Sequence, residues 1–413
     1  MIHQVKLHAE TRDRLMRAVR VQLGLLLYAA SLQGATLERG TCRAFMDRRP
    51  GLHGGGSDVV SWLWRSPALL AKLQAFRDDP APQSEKLSLA RKLYSDALRL
   101  SASQPWGRLQ RIDKRVSWQT RAAEYLEHFY DMLSPDRHVS QEIAGRRFDR
   151  QQLIANFLDQ NRGLYVCAFC EESHFYSRKS NTDVSTILDH FFPKGLYPHL
   201  CIHPYNLVPI CHSCNTGVKR VGDPMEARAN EPSRRLHRMV LPYRTTQLSQ
   251  ETYLQADLDM RAIGAIKPRR ATREVLDAIA LLDDVFDLPG RWQNSNVAIY
   301  QQLFRRLRGF LGASDFFSDG EFQAARVLDR LDQMVGSLYK VDMRRDPYAY
   351  VITWWLAAMA REEIEPYLTN PNRAPNQLPT LVKVLEKWQE QDAAAAAHLR
   401  GVGRDLRAVL ARR

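Results

Sequence analysis

Apolar residues recur at intervals of three and four along most of the chain, and this spacing predicts helices over the first 160 positions. Turn clusters at Gly51 to Ser57 and Asp78 to Gln83 divide that region into separate segments. The period changes at Thr252 to Met260, where Leu254, Ala256, Leu258 and Met260 alternate on one side and predict a strand. Helical spacing then returns and is expected to hold to the end. Val297, Tyr300, Leu303, Phe304, Leu307 and Phe310 form one expected core face, and Val327, Leu328, Leu331, Met334, Val335 and Leu338 form another. Asn370 to Pro379, with three prolines and three asparagines, is a break before a last helix that carries the alanine run 393–397. No repeat of solenoid period is present.

Composition narrows the class of protein. With 413 residues, 45% hydrophobic and 25% charged, the chain is globular, and its length predicts two or three domains. Wholesale disorder, collagen-like repeats and a disulfide-dense scaffold are excluded. The longest apolar stretches, Val21 to Ala30 and Val351 to Ala360, are too short to cross a bilayer, so no membrane association is expected. Met1 to Glu10 lacks the apolar core of a secretory signal, which predicts a cytoplasmic protein with reduced thiols.

Charge adds a candidate partner. The formal net charge is +13, and positions 1–150 hold 25 Lys and Arg against 16 Asp and Glu. Positions 151–230 hold 7 of each sign, and 231–413 hold 27 against 23. A polyanion such as nucleic acid would therefore be gripped by the helical arms rather than by the centre, and a basic face of those arms is expected beside the reactive residues. The alternative is a set of solvated Arg-rich helix faces.

The centre carries the chemistry. Cys167-Ala-Phe-Cys170 and Cys211-His-Ser-Cys214 are two Cys-x-x-Cys pairs among only six cysteines. Four thiolates on two tight turns suit a closed tetrahedral Zn²⁺ site, the alternatives being two reduced thiol pairs or a redox pair. Cys42 and Cys201 read as packing residues. Gly54 to Gly56 lack the Gly-Lys-Ser/Thr continuation of a phosphate loop, and Ser57 reads as an N-cap.

Between the cysteine pairs, Thr186-Ile-Leu-Asp-His190 reads as a strand followed by Phe-Phe-Pro-Lys194. His203-Pro-Tyr-Asn206-Leu-Val-Pro-Ile-Cys211 reads as a second strand, and Cys214-Asn215 opens a helix. In the order and spacing of these residues the segment Gly163 to Val221 resembles the HNH, or ββα-metal, endonucleases. The resemblance implies a central zinc-stabilised ββα-metal domain at 161–225, and with the helical periodicity on either side the expected fold is α+β, mainly α-helical, with a basic helical region at 1–160 and a mainly helical one at 226–413. Asn215 directly after Cys214 is similar to the phage junction-resolving endonucleases, in which zinc organises the site and a separate ion serves catalysis.

The resemblance assigns roles residue by residue. His190 becomes the general base, as a neutral imidazole would suit. Asp189 and Asn215 become ligands of one Mg²⁺ or Mn²⁺, an assignment supported by asparagine rather than histidine in the third motif position. Asn206 becomes a positioning residue for the loop that orients His190. The bland alternatives are a structural histidine at position 190 and capping or turn roles for Asp189 and Asn215. Lys194 and Lys219 read as phosphate contacts or as ordinary surface lysines. His174, His199, His203 and His212 receive no role, and His212 is expected to be exposed.

The wider string, from Cys-x-x-Cys-Glu to Lys219, is also similar to HNH proteins of bacterial anti-phage systems. Some of these, as in Septu-type systems, act beside a separate ATPase. The implied function is metal-dependent cleavage of DNA. A non-catalytic zinc-ribbon module binding nucleic acid or protein, and a nuclease directed at RNA, stand as alternatives.

Overall fold

The protein is described here from a computed structural model that covers residues 3–34, 36–49, 59–101, 108–133, 148–172, 186–219, 222–226, 243, 248–257, 262–310, 317–318, 321–338 and 344–369. The chain is mainly helical with a few short strands, and it divides into two units. The first comprises Met1–Thr252, Pro268–Leu288 and Arg344–Pro347, and the second Tyr253–Lys267, Pro289–Met343 and Tyr348–Arg413. The cysteine-rich centre thus belongs to the same unit as the N-terminal helices. No helix among the described residues is long and apolar enough to cross a membrane.

The first unit is organised around α1 (Ala9–Ser31), whose apolar positions point in nearly every direction. Leu15, Val19, Leu23 and Leu26 lie on one stripe and Val21, Leu25 and Tyr28 on another, and all are buried, as expected of a helix covered on more than one side. Its neighbours include α2 (Arg39–Asp47), α4 (Pro67–Asp78), α5 (Gln83–Ser101) and α6 (Ser117–Asp131), and α3 (Val59–Trp64) packs on α2 and α4. Gln22, in the middle of α1, is wholly buried. Its Nε2 donates to the Leu126 carbonyl at 2.8 Å and lies 3.6 Å from Cys201 Sγ. A buried amide left unpaired would cost about 1–3 kcal/mol, so this contact fixes α1, α6 and the central loop in one arrangement.

Helix α7 (Arg150–Gln160), N-capped by the Asp149 carboxylate, leads to the centre. There β1 (Thr186–His190) and β2 (Leu207–Cys211) form an antiparallel pair in which Thr186 faces Cys211 and His190 faces Leu207. A seven-residue π-helix, Ser213–Lys219, follows where a helix was expected.

The second unit departs from the helical pattern expected after Thr252 to Met260. The strand expected from Thr252 is present as β3 (Thr252–Asp257), but helical period does not resume at once: β4 (Ala262–Pro268) pairs with β3. Gly264 permits that pairing, because a Cβ there would lie 2.4 Å from the Gln255 carbonyl oxygen. A shorter pair, Phe317–Ser318 with Glu321–Phe322, also interrupts the helices. In the helix Asn296–Phe310 the buried face is Ile299, Leu303, Phe304 and Leu307, whereas Val297 and Phe310 are exposed. The Ala324–Ser337 helix buries Val327, Leu331 and Met334 and the following Leu338 as expected, with Leu328 and Val335 half-buried. The expected Ser57 cap, His174, the break at Asn370–Pro379 and the last helix lie outside the described residues.

Candidate functional site

All four cysteines of the two pairs are buried, and their sulfurs lie within 4.8 Å of one another. Cys167 Sγ is 3.9 Å from Cys214 Sγ, and Cys170 Sγ is 3.6 Å from Cys211 Sγ. A tetrahedron with metal–sulfur bonds of about 2.3 Å has sulfur–sulfur edges of about 3.8 Å. The separations match those edges and are far longer than the roughly 2.05 Å of a disulfide. The four side chains are therefore placed to hold one metal ion such as zinc.

The local backbone supports that cluster. The Cys214 N–H points at Cys211 Sγ and the Glu172 N–H at Cys170 Sγ, both at 3.4 Å, which favours thiolate over thiol. Hydrogen bonds from Cys167, Cys170 and Cys214 push the Cys211 thiol far below its ordinary range. Hydrogen bonding to Cys167 leads the forces that raise Cys170 and Cys214. Glu171, at a left-handed φ of 59°, turns the chain out of the first knuckle. Its buried carboxylate meets His3 Nε2 at 2.6 Å, so the start of the chain is tied to the cluster.

The other end of the hairpin holds Asp189 and His190. From Cys211 to the residue opposite His190, four strand steps cover roughly 14 Å. His190 is buried, with its ring steeply tilted against Tyr130 at a centroid distance of 4.3 Å. Its Nε2 lies 2.9 Å from the Cys201 carbonyl oxygen. Burial pushes the imidazole down to about 3, against the raising effect of that carbonyl. The ring is therefore neutral near pH 7. A carbonyl can only accept, so Nε2 carries the proton and Nδ1 keeps its lone pair.

Asn206 makes three hydrogen bonds across the loop between the strands. Its Oδ1 accepts from the Phe192 N–H at 2.6 Å, and its Nδ2 donates to the carbonyls of Phe192 at 3.2 Å and Leu200 at 2.9 Å. The brace expected of it is present. Asp189 lies beside His190, and burial leads the forces that raise its carboxyl, with Lys219 opposing. Asn215 is half-exposed on the π-helix, with no side-chain hydrogen bond among the described residues.

Lys219 departs from the surface role considered for it. Its side chain is buried, and Nζ lies 2.8 Å from Asp189 Oδ2 and 2.7 Å from the His190 carbonyl oxygen. The π-helix that begins at the cysteine end thus returns a cation to the histidine end. Lys194 is exposed and sits over the Tyr130 ring at 5.1 Å, near the Arg150 guanidinium at 4.0 Å from the same ring. Two cations therefore stand beside His190, and Arg150 belongs to the basic N-terminal region. Tyr130 and Arg150 escaped the sequence reading because they lie 40–60 residues upstream, without a motif of their own.

The remaining histidines divide as well. His203 is wholly buried, with Nδ1 accepting from the Tyr205 N–H and Nε2 facing the Ala97 carbonyl at 3.1 Å, so it fastens the loop to α5. His199 is wholly buried with neither ring nitrogen hydrogen-bonded. His212 is exposed as expected, and Cys42 and Cys201 are buried. No protein-family model, no curated protein and no solved structure matches the chain.

Proposed function

We propose that the protein is a metal-dependent endonuclease that hydrolyses phosphodiester bonds in DNA, with a structural Zn²⁺ on Cys167, Cys170, Cys211 and Cys214. The observation that carries this reading is the state of His190: a neutral imidazole whose Nε2–H is committed to a carbonyl, leaving Nδ1 as an acceptor. Such a group is unprotonated near neutrality, the state from which a general base starts. A phosphate brought close adds negative charge, which raises the imidazole toward the range where proton transfer is efficient. Arg150 and Lys194 give that phosphate nearby cations. Asn206 fixes the loop that holds His190 in place.

Asp189 Oδ1 and the Asn215 amide oxygen are hard donors of the kind that hold Mg²⁺ or Mn²⁺ among waters. A divalent ion there supplies neutralisation of charge on the phosphate and the leaving oxygen. Asp189 Oδ2 is taken by Lys219 and is outside that set. The resemblance to anti-phage HNH proteins extends the proposal to a defence role beside a separate ATPase.

The test is cleavage of supercoiled plasmid with Mg²⁺, with and without EDTA, alongside a structured RNA. Nicked or linear plasmid is expected with Mg²⁺ alone. His190→Ala should lose about 10²–10⁴-fold in rate while keeping fold and DNA affinity. RNA cleavage with intact plasmid would move the assignment to an RNA nuclease. Equal loss of binding and cleavage would make His190 structural.

One observation favours a second reading, a non-catalytic zinc module. The Lys219 ammonium already neutralises the Asp189 carboxylate, and His190 is 8% exposed. On that reading wild type and His190→Ala leave the plasmid equally intact and bind nucleic acid equally well.

A further inference from the structure

A cavity of about 770 Å³ opens in the first unit between α5, the segment Arg108–Arg111 and the loop that joins β1 to β2. It shares no lining residue with the Asp189–His190 site. Four of its lining residues are cations, Lys92, Arg99, Arg108 and Arg111, against two carboxylates, Asp96 and Glu226.

The two central guanidiniums are held in place. Asp96 is buried, accepts from Arg99 Nη2 at 2.5 Å, and uses its other oxygen for the Gln110 N–H at 2.5 Å. Arg111 donates from Nε to the Tyr197 hydroxyl at 3.2 Å and from Nη2 to the buried Asp223 and, at 3.0 Å, to Glu226. Pinned guanidiniums lose little further freedom on meeting an anion, and their planar donors match phosphate oxygens. Leu109, Met225 and the Tyr197 ring add apolar wall, and the volume is that of a small-molecule site rather than of a single inorganic ion.

We propose that this cavity binds a phosphorylated small molecule of nucleotide type, its phosphates on Lys92, Arg99, Arg108 and Arg111 and its flat apolar part against Leu109, Met225 and Tyr197. Duplex DNA offers phosphates but is a rod that meets only the rim of such a concavity. The cavity wall is continuous with the loop that carries the Asn206 brace. Tyr197 packs edge-on against Phe192 at 5.7 Å, and the Ile112 N–H donates to the Leu196 carbonyl at 3.0 Å. An occupant therefore stiffens the wall behind the His190 loop.

The test uses the full chain, thermal unfolding and isothermal titration, with ATP, inorganic pyrophosphate and adenosine as probes. ATP should bind and raise the unfolding midpoint, pyrophosphate should bind more weakly, and adenosine should not bind. In the double variant Lys92→Glu, Arg108→Glu, ATP affinity should fall by about tenfold or more. Both side chains are exposed, so the midpoint without ligand should hold. Ser95→Glu, an exposed wall residue, should weaken ATP in the same direction and serves if the double variant fails to fold. No binding of ATP or pyrophosphate, or wild-type affinity in the variants, would overturn the proposal. So would a short DNA duplex that displaces ATP and loses affinity in parallel with it, since the cavity would then be part of a DNA contact.

Discussion

The two ends of the β1–β2 hairpin are built by different means. At the Cys211 end, four side chains spaced three positions apart within each pair converge on one point, and a single ion could hold them. At the His190 end the partners come from three separate stretches of the chain. The ring leans on Tyr130, its Nε2 on Cys201, its loop on Asn206, and the carboxylate beside it on Lys219. With a metal bound, the first end would draw its stability from one strong interaction, whereas the second draws it from many weak ones. Perturbations should therefore be large and all-or-none at the thiol end, and graded at the imidazole end.

Cys211→Ser is the largest expected change. Structural zinc contributes apparent binding energies of about 10–16 kcal/mol in small zinc peptides, so losing even part of that exceeds any single contact elsewhere in the unit. Zinc content per chain should fall from one toward zero, and denaturant unfolding of the first unit should move far to lower concentration. A variant that keeps one zinc at an unchanged midpoint would show that the two thiol pairs do not share an ion.

Next in size is Lys219→Met. The ammonium is buried between a carboxylate and a carbonyl, and removing one partner of a buried pair costs about 3–5 kcal/mol. Because burial already raises the Asp189 carboxyl, part of that cost is relieved by protonation. The double variant Lys219→Met, Asp189→Asn should recover most of the loss in urea unfolding. Strictly additive losses would mean that the ion pair contributes nothing to folding.

These two sites also mark how far the sequence could be read. The thiol cluster was legible because both pairs follow a local spacing, and the hairpin because apolar runs end at Asp189-His190 and at the second pair. The Asn206 brace was foreseen through the resemblance to HNH enzymes. Burial of Lys219 was not, since a lysine after a polar helix turn looks solvated until a carboxylate from another strand is placed above it. Strand β4 was missed because the alternation over Ala262–Pro268 is short and adjoins a helix start. In the Asn296–Phe310 helix, Val297 and Phe310 fit the helical spacing, but Ile299 takes the inward position, and only packing decides between such neighbouring stripes.

Asn206→Ala tests the graded end. The amide is wholly buried, and its removal leaves the Phe192 N–H and the carbonyls of Phe192 and Leu200 without their partner, a cost of about 1–3 kcal/mol. Urea unfolding should shift by that amount while zinc content stays at one per chain. Cleavage, if His190 is the base, should slow without loss of DNA affinity. Loss of zinc in this variant would collapse the distinction between the two ends.

The smallest effect concerns acid, which weakens both ends for different reasons. Protons compete with zinc for thiolates, whereas on the loop side they must be refused by buried imidazoles. His199 is wholly buried, unpaired, and pushed down to about 3 by burial, with His203 lowering it further. Asp96 Oδ2 lies 3.8 Å from Nε2, too far to hydrogen-bond, and the Tyr197 ring faces it at 6.3 Å. An unfolded histidine takes a proton near 6.5, so between about 6.5 and 3 the unfolded chain binds more protons, and stability is lost as pH falls through that window. At pH 5 the loss for this one residue is about 2 kcal/mol. His199→Leu removes it without touching a thiol. Between pH 7 and pH 5 the wild type should therefore lose about 2 kcal/mol more than the variant in urea unfolding of the first unit. If the two proteins lose equal amounts, His199 carries no share of the pH dependence, and acid acts through the thiols and His190.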